Sequence, residues 1–474
     1  MIINIPKNFG FFHFVGIGGI GMSGIAEILI KSGYEVQGSD VSSSKIIDRL
    51  ISLGVKIFIG HEKNNIKNAS IVVYSYAIKQ NNPEIVEAKK LFIPIIHRSE
   101  MLSELMKLKK SIAIAGTHGK TTTTSLISKI LDTNKMDPTI INGGIISSLA
   151  SNAKLGQGQW MVVEADESDG SFSKLMPTVG VVTNIDLEHL DFHKNEKNLE
   201  NAFINFISSI PFYGFCSVCI DHPRVQKLFS NLKNRKIITY GLSTNADVKA
   251  NNITVKNQKM YFDVIYKNKN NTQNFVIKNI SFSMLGLHNI QNALASISIA
   301  LELNIKPDII KLALKNFNGV QRRFQLINKY KNTKIIDDYG HHPEEIKAAL
   351  SATKLIAKKS KVLAIFQPHR YSRLKNHFND FCSCFNDADE VVLLNVYAAG
   401  EKQIASCNNI DLENGIRNYG HKKVSSLIKD EDVYEIIFKK INDFQIIIFL
   451  GAGSITKIAN NLKTKLEILN KQYG

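Results

Sequence analysis

The sequence predicts an α/β protein built from three domains, a Rossmann-like first, a P-loop ATPase-like second and a Rossmann-like third, and three observations carry that expectation. Apolar runs of strand length alternate with helix-period patterns along almost the whole chain, the signature of parallel sheets with helical crossovers. Two of those runs end in glycine-rich turns with phosphate-loop spacing, Gly16–Gly21 and Gly116–Lys120. And 474 residues exceed what a single ordinary core organises.

The first block, placed at residues 1–108, opens with the strand Phe11-Phe12-His13-Phe14-Val15. A glycine turn and a helix through Ala26-Glu27-Ile28-Leu29 follow, then strands at Val36–Asp40 and Ile71–Ser75. The second block, 109–320, starts on the strand Ser111–Ala115. It continues through buried strands at Met161–Glu164 and Val179–Asn184, with polar residues at their carboxyl ends, where α/β folds bind ligands. Within it, Ile253–Val255, Met260–Val264 and Phe275–Ile277 predict a small antiparallel insertion. A helix over Asn289–Ala295 closes the block, with Asn289 as a possible cap. The third block, 321–474, has strands at Lys334–Asp338, Lys361–Phe366, Glu390–Leu394 and Gln445–Leu450. The last ends in Gly451-Ala452-Gly453-Ser454, another strand-end turn.

Composition narrows the function classes. Hydrophobic content of 44% with 21% charged residues describes a soluble globular chain. No apolar run approaches the ~18–20 residues needed to span a bilayer. The first residues carry no signal-peptide pattern. A cytoplasmic protein without membrane insertion is the expectation. The formal charge of +17 raises a nucleic-acid reading. The lysines, however, are scattered among Asn and Ile, as in Ile265–Asn270, with no basic arm and no aromatic-stacking motif. A solvated lysine-rich surface is expected, with no nucleic-acid partner. Such a field still favours anionic nucleotides. Cys216, Cys219, Cys382, Cys384 and Cys407 are expected to be structural thiols. Cys216-x-x-Cys219 lies in an apolar strand pattern, and Cys382-x-Cys384 is too tight for a usual zinc knuckle.

Two motifs carry the chemistry. Gly116-Thr117-His118-Gly119-Lys120-Thr121-Thr122 sits between a strand and a helix, the context of a phosphate-binding loop. Its glycines let backbone N–H groups approach phosphate oxygens, Lys120 reaches the terminal phosphates, and the Thr121 hydroxyl suits Mg²⁺. Ile114 stands where the common motif has its first Gly. Gly16-x-Gly18-Gly19-x-Gly21, with Asp40 ending the next strand, is a dinucleotide fingerprint. Read alone, it favours a nicotinamide-dependent oxidoreductase, which leaves Lys120 and Glu164 without a role.

The phosphate loop resembles that of the Mur ligases, the ATP-dependent amino-acid-adding enzymes of peptidoglycan synthesis. Further stretches share the resemblance in the family's order: Gly16–Glu27, Glu164-Ala165-Asp166-Glu167-Ser168-Asp169, Asp338-Tyr339-Gly340-His341-His342-Pro343 and Phe366-Gln367-Pro368-His369-Arg370-Tyr371. The resemblance implies an N-terminal Rossmann-like domain for the UDP substrate, a central ATP-binding domain and a C-terminal ligase domain. It implies ATP-dependent joining of L-alanine to the lactyl carboxylate of UDP-N-acetylmuramate through an acyl phosphate. A ligase that attaches a recovered peptide to the same acceptor is the alternative within the family. No obligatory protein partner is implied.

The resemblance also distributes roles. Gly16, Gly18, Gly19, Gly21, Asp40 and His61 serve the UDP substrate. Gly116, Thr117, His118, Gly119, Lys120, Thr121, Thr122, His288, Asn292 and Asp338 serve ATP. Thr121, Glu164 and His189 hold metal. Lys120, His341, Arg323, Arg370 and Arg373 serve catalysis, the arginines because a planar fork suits phosphoryl and tetrahedral oxyanions. Tyr76 stands where the family usually has a small residue. Leu199–Pro211 contains no Lys, so the carbamylated lysine of several relatives is not expected.

Overall fold

A computed structural model of the chain describes Pro6 and residues 8–168, 170–188, 190–229, 232, 234–267 and 275–473. Three sheets organise it. The first runs β3-β2-β1-β4-β5 from β1 (Phe11–Val15), β2 (Val36–Asp40), β3 (Lys56–Ile59), β4 (Ala69–Tyr74) and β5 (Ile95–His97). All its pairings are parallel. The order reverses at β1, so the crevice at its carboxyl end is the ligand-binding switch point. The turn Gly16–Gly19 stands there, leading into the helix Ile20–Lys31.

The second sheet has ten strands: β6 (Lys110–Ala115), β7 (Thr139–Ile146), β8 (Ser151–Lys154), β9 (Trp160–Glu164), β10 (Val179–Val182), β11 (Phe215–Cys219), β12 (Ile237–Gly241), β13 (Val248–Lys256), β14 (Lys259–Tyr266) and β15 (Phe275–Phe282). Their order is β15-β14-β13-β12-β11-β10-β6-β9-β7-β8. β6 lies between β10 and β9, parallel to both. It is buried from Ser111 to Ala115 and apolar from Ile112 on, as a strand covered on both faces must be.

β13–β15 differ from the expected insertion: they prolong the central sheet. β12 hands its ladder to β13 through Tyr240↔Val248 and Gly241↔Lys249. The Asp247 carboxylate fixes the turn by accepting from the Thr239 N–H at 2.9 Å and hydroxyl at 2.8 Å. That side-chain lock gives no periodic signal.

The third sheet runs β16-β17-β21-β18-β19-β20, from β16 (Gln325–Tyr330), β17 (Thr333–Asp338), β18 (Val362–Phe366), β19 (Glu390–Leu393), β20 (Val424–Ser426) and β21 (Ile446–Leu450). β16 is antiparallel to β17, and the other pairs are parallel.

The described residues fall into two compact units. One holds the chain up to Thr254, Tyr261–Ser283 and Ile290–Asn318; the other holds Val255–Met260, Met284–Asn289 and the chain from Gly319 on. Within the first unit a polar seam joins two sheets' helices and strands. Buried Glu27 pairs with Lys31 at 2.6 Å and Arg49 at 3.0 Å. Asn152 accepts from Arg49 at 2.8 Å and donates to the Ile20 carbonyl at 2.6 Å. A Cβ on Gly24 would lie 3.0 Å from the Asn152 amide, so glycine permits that close approach. No helix among the described residues is long and apolar enough to cross a membrane.

Candidate active site

The phosphate loop leaves the carboxyl end of β6 and opens the helix Lys120–Thr133. Gly116 and Gly119 have φ of 131° and 82°, where a side chain is strained. Space forbids one as well: a Cβ would lie 2.0 Å from Thr183 Oγ1 at Gly116 and 2.4 Å from Asn292 Oδ1 at Gly119. The segment after β10 holds the loop. Thr117 N–H donates to the Asn184 carbonyl at 3.1 Å, and His118 N–H to the Asn184 side chain at 2.7 Å. Thr183 and Asn184 both donate to the His118 carbonyl, at 2.6 and 3.1 Å. Asp186 N–H donates to Thr117 Oγ1 at 2.8 Å. The Asp186 carboxylate meets His118 at 3.2 Å and His222 at 3.1 Å. Burial would raise its carboxyl, but hydrogen bonds from both histidines hold it well below the ordinary range.

Lys120 is buried against carboxylates. Its Nζ lies 2.7 Å from Glu167 Oε2 and donates to the carbonyls of Gly116 and Thr117 at 2.6 and 3.0 Å. Burial lowers an ammonium pKa, yet Glu167, Glu164 and Asp166 together raise that of Lys120 above its usual value. Burial pushes the Glu167 carboxyl up to about 7, against the pull of Lys120. Asp166 moves the other way: burial is outweighed by Arg98 and Lys120, which hold it at about 2. Asp166 and Glu167, neighbours in the chain, thus sit in distinct environments after β9 beside the loop.

Glu164 ends β9, in register with Ile114 of β6. Its Oε2 accepts from Gly143 N–H at 2.9 Å. Thr121 and Thr122 are buried in the first turn of the loop helix. Asn292 accepts from the Thr123 hydroxyl at 3.2 Å, so it braces the loop helix. His189 lies outside the described residues.

In the first sheet Gly18 N–H donates to Asp40 Oδ2 at 2.8 Å. Asp40 therefore closes the glycine turn. His61 Nδ1 lies 3.0 Å from Ser39 Oγ. Ser39 in turn donates to Glu84 at 2.6 Å; Glu84 is fully buried and also bonded to Asn65 at 2.6 Å and His13 at 3.3 Å. Burial would raise the Glu84 carboxyl, but these partners bring it below the ordinary value. The exposed Tyr76 ring packs edge-on against Phe192 at 5.6 Å and His97 at 6.2 Å.

The second unit gathers cations at the carboxyl ends of β17 and β18. Arg322 and Arg323 lie over the Tyr339 ring, at 4.6 and 5.1 Å. Glu345 lies 3.5 Å from Arg323 and 3.3 Å from His341. Asp338 is buried; its oxygens accept from Gly340 N–H and Phe324 N–H, both at 2.7 Å. Burial raises its carboxyl. Arg373 Nη1 lies 3.2 Å from His369 Nδ1. Burial first, then the positive neighbours His341, Arg373, Arg370 and Arg322, push His369 down to about 3. His288 lies in the first turn of the helix Leu287–Glu302, where burial and then Arg323 lower its pKa to about 4. Asn289 does not precede that helix as a cap. It sits inside the first turn and donates to the Leu285 carbonyl at 2.7 Å. All five cysteines are free and buried, and burial pushes Cys219 up to about 12.

Asn184, Asp186, Glu167, Glu345 and Glu84 carry much of this geometry without having been singled out from sequence. The first four lie inside or beside stretches that the motifs already mark. Glu84 follows Asn82-Pro83, an ordinary helix start, and nothing local announces its burial.

Comparison with known proteins agrees along the whole chain. Residues 11–110 match the Mur ligase family catalytic domain, 114–300 the Mur ligase middle domain, and 322–453 the Mur ligase glutamate ligase domain. The chain is 50% identical over 463 residues to UDP-N-acetylmuramate–L-alanine ligase of Rhodospirillum rubrum, covering 98% of this chain and 96% of that one. It is 47% identical over 471 residues to the enzyme of the same name from Phenylobacterium zucineum, covering 99% and 98%. The crystal structure of UDP-N-acetylmuramate–alanine ligase from Thermotoga maritima superposes with a TM-score of 0.82 at 28% identity, covering 97% and 99%. A murein peptide ligase from Psychrobacter arcticus shares the fold, with a TM-score of 0.71 at 22% identity over 96% and 98%. On this near-complete coverage at close to half identity, the chain belongs to the Mur ligase family.

Proposed function

We propose that the protein is the ligase that joins L-alanine to the lactyl carboxylate of UDP-N-acetylmuramate at the expense of ATP, in peptidoglycan synthesis. The observation that carries this reading is near-half identity across almost the entire length to enzymes of that name. A carboxylate is a poor electrophile. The γ-phosphoryl group of ATP passes to a carboxylate oxygen, ADP leaves, and the acyl phosphate is attacked by the alanine amine. The tetrahedral intermediate expels phosphate and the amine gives up its proton, leaving an amide. Positioning and charge neutralisation are most of what phosphoryl transfer requires.

The loop Gly116–Thr122 cradles the ATP phosphates, and Lys120 meets the terminal ones. His288, Asn292 and Asp338 serve the nucleotide; Arg323, His341, Arg370 and Arg373 meet negative charge as it develops. The turn Gly16–Gly21, with Asp40 and His61, receives the UDP substrate. The proposed domain limits are 1–108, 109–320 and 321–474. A cytoplasmic location goes with this reading.

Mg²⁺ fits the oxygen donors at the loop. Thr121 offers a hydroxyl and Glu164 a carboxylate at the adjoining strand end, the hard ligands this cation takes. Bound there, with His189 as a third ligand, it would neutralise phosphate charge. Glu164→Gln is expected to raise the Mg²⁺ concentration for half-maximal rate several-fold, because one of several ligands weakens. An unchanged Mg²⁺ titration would remove Glu164 from the metal shell.

The reaction itself is tested by ATP-dependent amide formation on UDP-N-acetylmuramate, with L-alanine, other amino acids and the recovered peptide offered in parallel. Preference for L-alanine is expected. Turnover of the peptide alone would refute the assignment in favour of the peptide-attaching relative.

A further inference from the structure

The glycine turn of the first sheet spends four of its amides on the protein itself. Gly16 and Ile17 N–H groups donate to the Ser39 carbonyl at 2.8 and 2.9 Å, and Gly19 N–H to the Gly16 carbonyl at 3.2 Å. Gly18 N–H is taken by Asp40 at 2.8 Å. Four successive loop amides therefore serve the protein's own acceptors, and Asp40 adds a negative charge at the turn. A pyrophosphate, with its two charges, needs a cation at such a place.

Arg98 is that cation by position. It follows β5 directly and opens the helix Arg98–Met106. Its Nη1 lies 3.0 Å from where a Cβ on Gly21 would stand, so the guanidinium covers the first turn of the glycine-loop helix. Its other end is anchored: Nη2 lies 2.6 Å from Asp166 Oδ2, and the arginine side chain is only 16% exposed. Asp166 belongs to the acidic run after β9 that also carries Glu167, the partner of Lys120. The same fork lies over the helix turn to which the UDP-substrate reading assigns the phosphates.

We propose that Arg98 binds the pyrophosphate of the UDP substrate and that Asp166 is the positioning residue that holds its guanidinium there. This rests on the reading of Gly16–Gly21 as the UDP-substrate turn. The acidic run beside the phosphate loop thereby sets the geometry of the acceptor site as well as that of ATP. Because guanidinium can serve two acceptors through separate N–H groups, Arg98 keeps Asp166 when substrate enters.

The test is calorimetry on the full-length protein with UDP-N-acetylmuramate, UDP and UMP, and with ADP as a control for the other nucleotide site. Wild type binds UDP more tightly than UMP through the second phosphate. Arg98→Met is expected to abolish that preference, to weaken UDP-N-acetylmuramate binding about tenfold or more, and to leave ADP binding unchanged. Asp166→Asn is expected to reduce the UDP preference partly, and the double variant to be no weaker than Arg98→Met, as two residues acting through one contact must be. If Arg98→Met does not fold, Arg98→Gln, which can still donate to Asp166, carries the same test. An unchanged UDP-over-UMP ratio in a folded Arg98 variant overturns the proposal. Equal weakening of UDP and UMP overturns it too, since it reduces Arg98 to support of the domain. Failure of the wild type to bind any uridine nucleotide would instead sink the functional reading beneath it.

Discussion

Lys120→Ala is expected to lower the rate of amide formation by on the order of a thousandfold or more, the scale set by losing the cation that meets the transferring phosphoryl group. The fold around it should persist: the two loop carbonyls that Lys120 holds lose their donor, but the bonds from Thr183, Asn184 and Asp186 remain. The variant is not silent in stability, however. Glu167 sits 2.7 Å from the ammonium with only 4% of its side chain exposed, and removing one partner of a buried pair leaves the other charge uncompensated. Burial already pushes the Glu167 carboxyl up to about 7; without Lys120 it moves higher. A raised acid pKa means that the folded state holds a proton the unfolded chain has released. Stability therefore falls as pH rises from the unfolded carboxylate value towards the folded one. The melting temperature of Lys120→Ala should drop more steeply than that of wild type between about pH 5 and 8. Adding Glu167→Gln should remove that slope without restoring the reaction. Activity within about tenfold of wild type would refute the role of the loop lysine; a pH-independent melting curve would refute the account of its partner.

Much of this machinery stood in the sequence because its parts are local. A strand, a glycine turn and Gly-Lys-Thr are contiguous, so the loop at 116–122 is written in one stretch. The acid at 164 ends an apolar run and reads as a strand-end carboxylate. What the chain does not announce is which distant backbone a polar side chain will hold. Asn184 fixes the loop from sixty-odd positions away. Asp247 extends the central sheet by bonding a threonine one strand earlier. Glu345 holds both Arg323 and His341, although it reads as an ordinary first-turn acid of a helix. Arg98 lies in an unremarkable helix start, and its partner Asp166 follows a strand of another sheet. These residues satisfy buried donors or charges, and that demand exists only after the strands are ordered.

Arg370→Lys is expected to lower the catalytic rate about tenfold or more while leaving ATP binding little changed. The backbone supplies the argument. Arg370 has φ of 68°, a conformation that costs a non-glycine residue on the order of 1 kcal/mol. It is kept there by its N–H, which donates to the Tyr397 carbonyl at 2.9 Å, and by the bridge between His369 and Tyr397, whose rings stack 5.5 Å apart. That arrangement turns the side chain out at the end of β18, where 46% of it is exposed and Glu401 is its ionic neighbour at 4.0 Å. The same turn presents Arg373 one helical turn on, against His369. If the direction of the fork is what the strained backbone secures, a lysine in the same place offers only a point charge of different reach and loses the paired donors that suit a tetrahedral or phosphoryl oxyanion. Arg370→Gly separates the two effects. It relieves the backbone and should raise the melting temperature or leave it unchanged, while the rate falls at least as far as in Arg370→Lys. Arg373→Lys, measured beside them by steady-state kinetics, shows whether the second fork shares the load. Wild-type rates in Arg370→Lys and Arg373→Lys alike would return both side chains to the solvated surface and leave the positive φ at 370 without a functional reason.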